Sequence, residues 1–306
     1  MSLKIVFMGT PEFSLRSLES IVNSNYKILS VYSQPPKKKH RGQKIKISPV
    51  HKLAKKFNIQ IRTPENLDSL TEYNYLKKIK PDVVIVVAYG KLIPEKILNI
   101  PNILFLNVHA SLLPKWRGAA PIERSILNKD KETGVSIMKI VSELDAGPYL
   151  KQVKIKLKKD SQFGDIYKKL SQVGADALIA SLKIIESGKT NFINQDHKKS
   201  TYAKKIQKEE TKIDWNQSAN NILAKINAFS PNPGAWFNFK NKRIKIIKAD
   251  ETEKTGEAGM VIDQNFIIGC STNSIKILEL QKEGKRAMKI DEFLIGNKIS
   301  IGEKLS

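Results

Sequence analysis

The sequence holds 306 residues, 41% of them hydrophobic, with a formal net charge of +23. That length exceeds most single compact cores and predicts two domains, and the lack of an apolar run of about 18 residues argues against a membrane-spanning helix. Cys270 is the single cysteine, which excludes an intrachain disulfide and a cysteine-rich zinc site.

Residues 3–8 (LKIVFM) predict a buried strand. The turn GTPEF and an amphipathic helix ending near Asn23 follow, then a second strand over 27–33 (KILSVYS). The stretch QPPKKKHRGQKIK shows neither helical nor strand periodicity. SPVHKLAKKFN predicts a helix opened by a Ser cap, with Pro at its first position. The β-branched run DVVIVVA at 82–88 and the segment ILFLNVH at 103–109 read as strands buried on both faces. Strands alternating with helices predict an α/β fold, a doubly wound, mostly parallel, Rossmann-like sheet.

The pattern changes after about residue 145. GVSIMKIV and PYLKQVKIKL read as strands around the turn ELDAGP, and a long helix over 163–187 ends at Gly188. A linker or wrapping segment comes next. From about 208, one helix near 216–228 precedes short strands (AWFNF, RIKIIKA, GMVID, FIIGCS, SIKILEL), which predict a small OB-like β-barrel. The expected domains are 1–190, a linker over 191–207, and 208–306.

The chemistry-bearing stretch is NVHASLLP at 107–114, closing a buried strand. Ligands of open parallel sheets bind outside the carboxyl ends of the strands. Asn107 and His109 lie two apart and face the same side. An amide and an imidazole there can stabilise an oxyanion and handle a proton. Asp145, in the turn SELDAGP, can orient His109 or accept a proton. Singly these are weak signals, since a lone strand-end His is commonly structural and an Asp in a turn is usually a turn former. Cys270 lies in an apolar run and reads as a small core residue, and His40, His51 and His197 form no ligand-spaced cluster, so no metal is expected.

NVHASLLPKWRGAAPI at 107–122 and ELDAGP at 143–148 resemble the folate-dependent formyltransferase superfamily. MGTPEF at 8–13, VVAYGKLIP at 86–94, YAKKIQKEETKIDW at 202–215 and NPGAWF at 232–237 extend the resemblance along the whole chain. The resemblance implies transfer of a formyl group from 10-formyltetrahydrofolate to the α-amine of the methionine on initiator tRNA. It also implies that Asn107, His109 and Asp145 are catalytic, and that Tyr89, Gly90, Lys91, Leu92, Ile93, Pro94, Ser111, Leu112, Leu113 and Pro114 line the folate site.

The charge excess points to a polyanion, nucleic acid before anionic membrane, although the chain is lysine-rich throughout. Lys37, Lys38, Lys39, Arg41, Gly42, Lys44 and Lys46 occupy the position of the insertion that, by the resemblance, enters the tRNA acceptor end. A charge run is usually a solvated loop. Pro36 and His40 depart from the related pattern, which commonly has an acid and a glycine there. The runner-up acceptor is an amino-sugar nucleotide, and WRGAAPI points away from it. The glycine-rich first turn expected for a glycinamide ribonucleotide substrate is replaced by GTPEF. A non-catalytic RNA-binding protein would not need the Asn107, His109 and Asp145 set. A monomeric chain that does not engage membranes is expected, in the cytosol, since the N-terminus is no signal peptide and one cysteine suits a reducing compartment.

Overall fold

The computed structural model describes residues 2–39, 44–297 and 299–305. In chain order the elements are β1 (Lys4–Gly9), α1 (Leu15–Val22), β2 (Lys27–Tyr32), β3 (Lys37–Lys39), β4 (Lys44–Lys46), α2 (Pro49–Lys56) and β5 (Ile61–Arg62). Next come α3 (Leu70–Ile79), β6 (Val83–Val87), α4 (Glu95–Leu98), β7 (Leu104–His109), β8 (Arg117–Gly118), α5 (Pro121–Leu127), β9 (Glu132–Lys139), β10 (Tyr149–Lys156) and α6 (Phe163–Glu186). The remainder are β11 (Tyr202–Ala203), α7 (Ala219–Phe229), β12 (Ala235–Phe239), β13 (Lys242–Thr252), β14 (Ile267–Gly269), β15 (Ser274–Lys282), β16 (Ala287–Lys289) and α8 (Ile290–Ile295). The chain divides into two compact units. One comprises Met1–Gly118, Thr133–Ile155 and Tyr167–Tyr202, the other Ala119–Glu132, Lys156–Ile166 and Ala203–Ser306.

The first unit is built on a seven-stranded sheet of order β10-β9-β7-β6-β1-β2-β5. β5, β2, β1, β6 and β7 run parallel, and β9 is antiparallel to β7. All five residues of β6 are buried. A strand covered on both faces can carry no alternation of polar residues, which is why VVIVV is unbroken. Ser48 accepts the His51 N–H at 3.0 Å and opens α2, with Pro49 at its first position. Gly188, at φ +70°, follows the last turn of α6 in the left-handed conformation that closes helices.

One expectation needs correction. The lysine-rich segment after Gln34 is paired: β3 and β4 form an antiparallel ladder with Lys37 opposite Lys46 and Lys39 opposite Lys44. Backbone hydrogen bonds carry such a ladder, and a run of lysines on both strands hides the period of two. Arg41 and Gly42, with His40, lie outside the described residues.

The second unit centres on a curled antiparallel sheet of order β12-β13-β15-β14, with β16 also on β15. β12 alternates buried and half-buried residues along AWFNF. Its inward Phe237 and Phe239 meet Phe266, and Phe266 stacks on Phe293 at 6.0 Å between ring centres. α5 and α7 pack together and α7 lies on β13. GMVID is not a ladder strand. Met260 and Val261 make only isolated bridges, to Lys304 and Ile268. Cys270, just past β14, is buried. Among the described residues no helix is long and apolar enough to cross a membrane.

Candidate active site

β7 ends at the carboxyl edge of the parallel sheet between β6 and β9, with Val86 opposite Asn107 and Ser136 opposite His109. Asn107 and His109 therefore emerge on one face, where the turn between β9 and β10 brings in Asp145. The Asn107 amide donates to Asp145 Oδ1 at 3.4 Å. The Gly118 N–H donates to Asp145 Oδ2 at 2.9 Å. His109 Nδ1 stands 3.6 Å from the same Oδ2, with the imidazole 5% and the carboxylate 15% exposed. On the far side of the ring, His109 Nε2 lies 2.9 Å from the Trp116 carbonyl oxygen. A carbonyl only accepts, so this nitrogen is assigned the hydrogen and donates it. Nδ1 is left to face the carboxylate.

Three non-glycine residues around this point hold left-handed backbone: Ala88 at φ +46°, Trp116 at +61° and Asp145 at +47°. Such residues are costly and persist where the surroundings hold them. Gly147 in the same turn is required by space, since an added Cβ would lie 1.9 Å from the Lys139 carbonyl oxygen.

The loop after β7 is locked from beneath. Ser136 Oγ donates to the Ser111 carbonyl at 2.7 Å and accepts the Leu113 N–H at 3.1 Å. Gln152 donates to the Leu113 carbonyl at 2.7 Å. Ser111 and Leu113 are buried, whereas Leu112 and Pro114 are half-buried.

The segment after the neighbouring strand β6 is tied by Thr10 and Gln34, which donate to the Tyr89 carbonyl at 2.8 and 3.3 Å. Gln34 also donates to the Gly90 carbonyl at 2.9 Å. The Tyr89 ring sits in the core, where burial first and Glu72 second push its pKa up to about 12. Lys91 donates to the Pro64 carbonyl at 2.6 Å, Ile93 packs on the core, and Pro94 precedes α4. Leu92 is 83% exposed. The two expected folate segments thus follow adjacent strands at the same sheet edge, the location that suits ligands in open parallel sheets.

Of the expected tRNA residues, Lys37, Lys38, Lys39, Lys44 and Lys46 belong to the β3–β4 ladder, with Lys46 exposed. Two residues near the centre escaped the sequence reading of roles. Arg117 is 1% exposed and directs its guanidinium at Gln195. Gln195 is buried and touches the backbone of the Asp145 turn. A buried arginine reaching 78 residues along the chain leaves no local signal.

An amide at 3.4 Å and an imidazole at 3.6 Å from one carboxylate make a group that can donate to a developing oxyanion and move a proton. Residues 3–182 match the formyl transferase family, and residues 205–298 match the formyl transferase C-terminal domain. The chain is 48% identical over 308 residues to a methionyl-tRNA formyltransferase of Pelagibacter ubique, covering 100% of this chain and 99% of the relative. A second enzyme of that name, from Dictyoglomus turgidum, is 43% identical over 311 residues, covering 99% of each. The solved N-formyltransferase of Helicobacter canadensis, in complex with folinic acid and dTDP-3-aminofucose, shares the fold at a TM-score of 0.70. That match has 20% identity and covers 92% of this chain and 100% of the other.

Proposed function

We propose a function from one premise: the chain belongs to the formyl transferase family. It transfers a formyl group to methionyl-tRNA, the reaction that names its full-length relatives. The donor is a folate derivative, and we read it as 10-formyltetrahydrofolate. The observation that carries the reading is the convergence of Asn107, His109 and Asp145 at the end of β7.

The acceptor is the free α-amine of the methionyl group. Its ordinary pKa of about 8 leaves a neutral fraction at pH 7, so no covalent enzyme intermediate is needed. The amine nitrogen bonds to the formyl carbon, and the carbonyl oxygen becomes an oxyanion. The bond from that carbon to folate N10 then breaks, while one proton leaves the amine and N10 takes one up. Asn107 donates to the oxyanion, and His109 joins it once its Nδ1 has taken up the proton that leaves the amine. Asp145 accepts the proton directly or through His109. The segments 89–94 and 111–114 hold the folate, their backbones fixed by Thr10, Gln34, Ser136 and Gln152.

The β3–β4 hairpin and the second unit supply affinity for tRNA. Arg41 serves discrimination, because its planar fork can hold base edges or bridge phosphates. Lysines serve as phosphate contacts, each loss flattening the salt slope by about 0.7–0.9. The deciding assay compares formyl transfer to charged initiator tRNA, charged elongator tRNA and an amino-sugar nucleotide. Initiator tRNA is the preferred acceptor, and faster formylation of the sugar nucleotide would overturn the reading.

A further inference from the structure

The segment that follows α6 reaches both halves of the His109–Asp145 pair. It is pinned to β10 by reciprocal backbone hydrogen bonds between Ile193 and Tyr149, at 3.0 and 2.8 Å. Gln195, two residues on, is 5% exposed. Its side-chain nitrogen donates to the Asp145 carbonyl at 2.9 Å and to the Gly147 carbonyl at 2.6 Å. Its side-chain oxygen accepts from Nε and Nη2 of Arg117 at 3.0 and 2.9 Å. The amide has one workable orientation, because a flip would set its NH₂ against the guanidinium and its oxygen against two carbonyls.

Further along, Thr201 Oγ1 accepts the Trp116 N–H at 2.9 Å. The Thr201 carbonyl accepts the Arg117 N–H at 2.9 Å, and its own N–H donates to the Pro114 carbonyl at 3.3 Å. Trp116 is the residue whose carbonyl receives His109 Nε2. One stretch of chain therefore holds both strained positions: Asp145 through Gln195, and Trp116 through Thr201. Arg117, between Trp116 and Gly118, joins the two anchors. Its Nη1 donates to Glu143 at 3.2 Å, at the start of the Asp145 turn.

We propose that residues 193–201 form a positioning strap, in which Gln195 and Thr201 set the mutual geometry of His109 and Asp145 for formyl transfer. The proposal rests on the reading of that pair as the proton-handling centre. Neither strap residue reacts. Each fixes the backbone that carries or receives a catalytic group, where a displacement of about 1 Å is worth as much as a hundredfold in rate.

The test measures kcat and both KM values, normalised to the folded fraction. Gln195→Glu keeps an acceptor for Arg117 but sets an oxygen against the Asp145 and Gly147 carbonyls. It should lower kcat about tenfold to a hundredfold, with both KM values within about twofold. Thr201→Val, on the exposed side, removes one hydrogen bond and should lower kcat about fivefold, with Thr201→Ser restoring it. Wild-type kcat in both Gln195→Glu and Thr201→Val would overturn the strap. So would loss of melting temperature and kcat together in Thr201→Val, without rescue by serine, because that marks a merely structural contact. His109→Ala is measured alongside. If it is inactive while the strap variants match wild type, the strap alone fails. If it retains wild-type transfer, the reading of the centre itself fails.

Discussion

Glu72 and Asp145 are both acids of the first unit, and both lie beside a cation or a titratable ring. Glu72, on α3, is wrapped. Arg62 donates to its two oxygens at 2.8 and 2.7 Å, and the Tyr32 hydroxyl donates at 2.8 Å. Asp145 has one short bond, from Gly118 at 2.9 Å, while Asn107 and His109 stand off at 3.4 and 3.6 Å. The difference separates two uses of a carboxylate. A saturated acid fastens an edge strand to a helix and has no capacity left to exchange protons. An acid with loose neighbours can tighten when a reactant arrives, as catalytic hydrogen bonds commonly do on substrate binding.

The comparison can be broken from either side. Glu72→Ala leaves the Arg62 guanidinium, with its side chain 19% exposed, without its carboxylate. It should cost about 3–5 kcal/mol of stability, read from urea unfolding, with kcat of the folded fraction unchanged. A drop in kcat at intact stability would show that Glu72 is not merely a fastener. His109→Ala and Asp145→Asn should do the opposite, raising the barrier by about 2–4 kcal/mol each with little change in melting temperature. The double variant should be little worse than the worse single if, as proposed, the pair acts as one unit. Turnover near wild type in either single would remove the distinction.

The smallest effect lies in pH. Burial alone would raise the Glu72 carboxyl, but hydrogen bonds from Arg62 and Tyr32 hold it below the usual range. Its contribution is therefore present above the unfolded value of about 4.3 and fades as pH falls through the folded one. Burial first, and Glu72 second, raise the Tyr32 hydroxyl. That contribution is present below the unfolded value of about 10 and is lost as pH climbs beyond it. Urea midpoints across pH should show both limbs in the wild type, and Glu72→Ala should flatten the acid limb. An unchanged acid limb in that variant would place the titration elsewhere.

These two clusters also mark how far the sequence could be read. Asn107 and His109 are two residues apart on one strand, so their shared face follows from strand geometry alone, and Asp145 sits in a turn whose Gly and Pro are visible locally. The parallel sheet was equally legible, because unbroken runs such as VVIVV have few other uses. Arg62 and Glu72 gave no signal, since a half-buried arginine and a surface one look alike in a string. Gln195 sat within an apparent linker, and its partners lie 78 and 50 residues away. The β3–β4 ladder was hidden because lysines occupy five of its six positions. Periodicity reports burial, and this hairpin's pairing is carried by backbone hydrogen bonds instead.

Cys270 carries one further consequence. It is the chain's only thiol, 4% exposed, and burial pushes its pKa up to about 12. At neutral pH the group is protonated as well as shielded, and thiols react as thiolates. An alkylating reagent will therefore mark this protein once, and only when the backbone beside β14 opens. The mass of the intact chain then becomes a stopwatch for that opening, read as one adduct or none. It can be run with and without tRNA to ask whether the nucleic acid slows that opening.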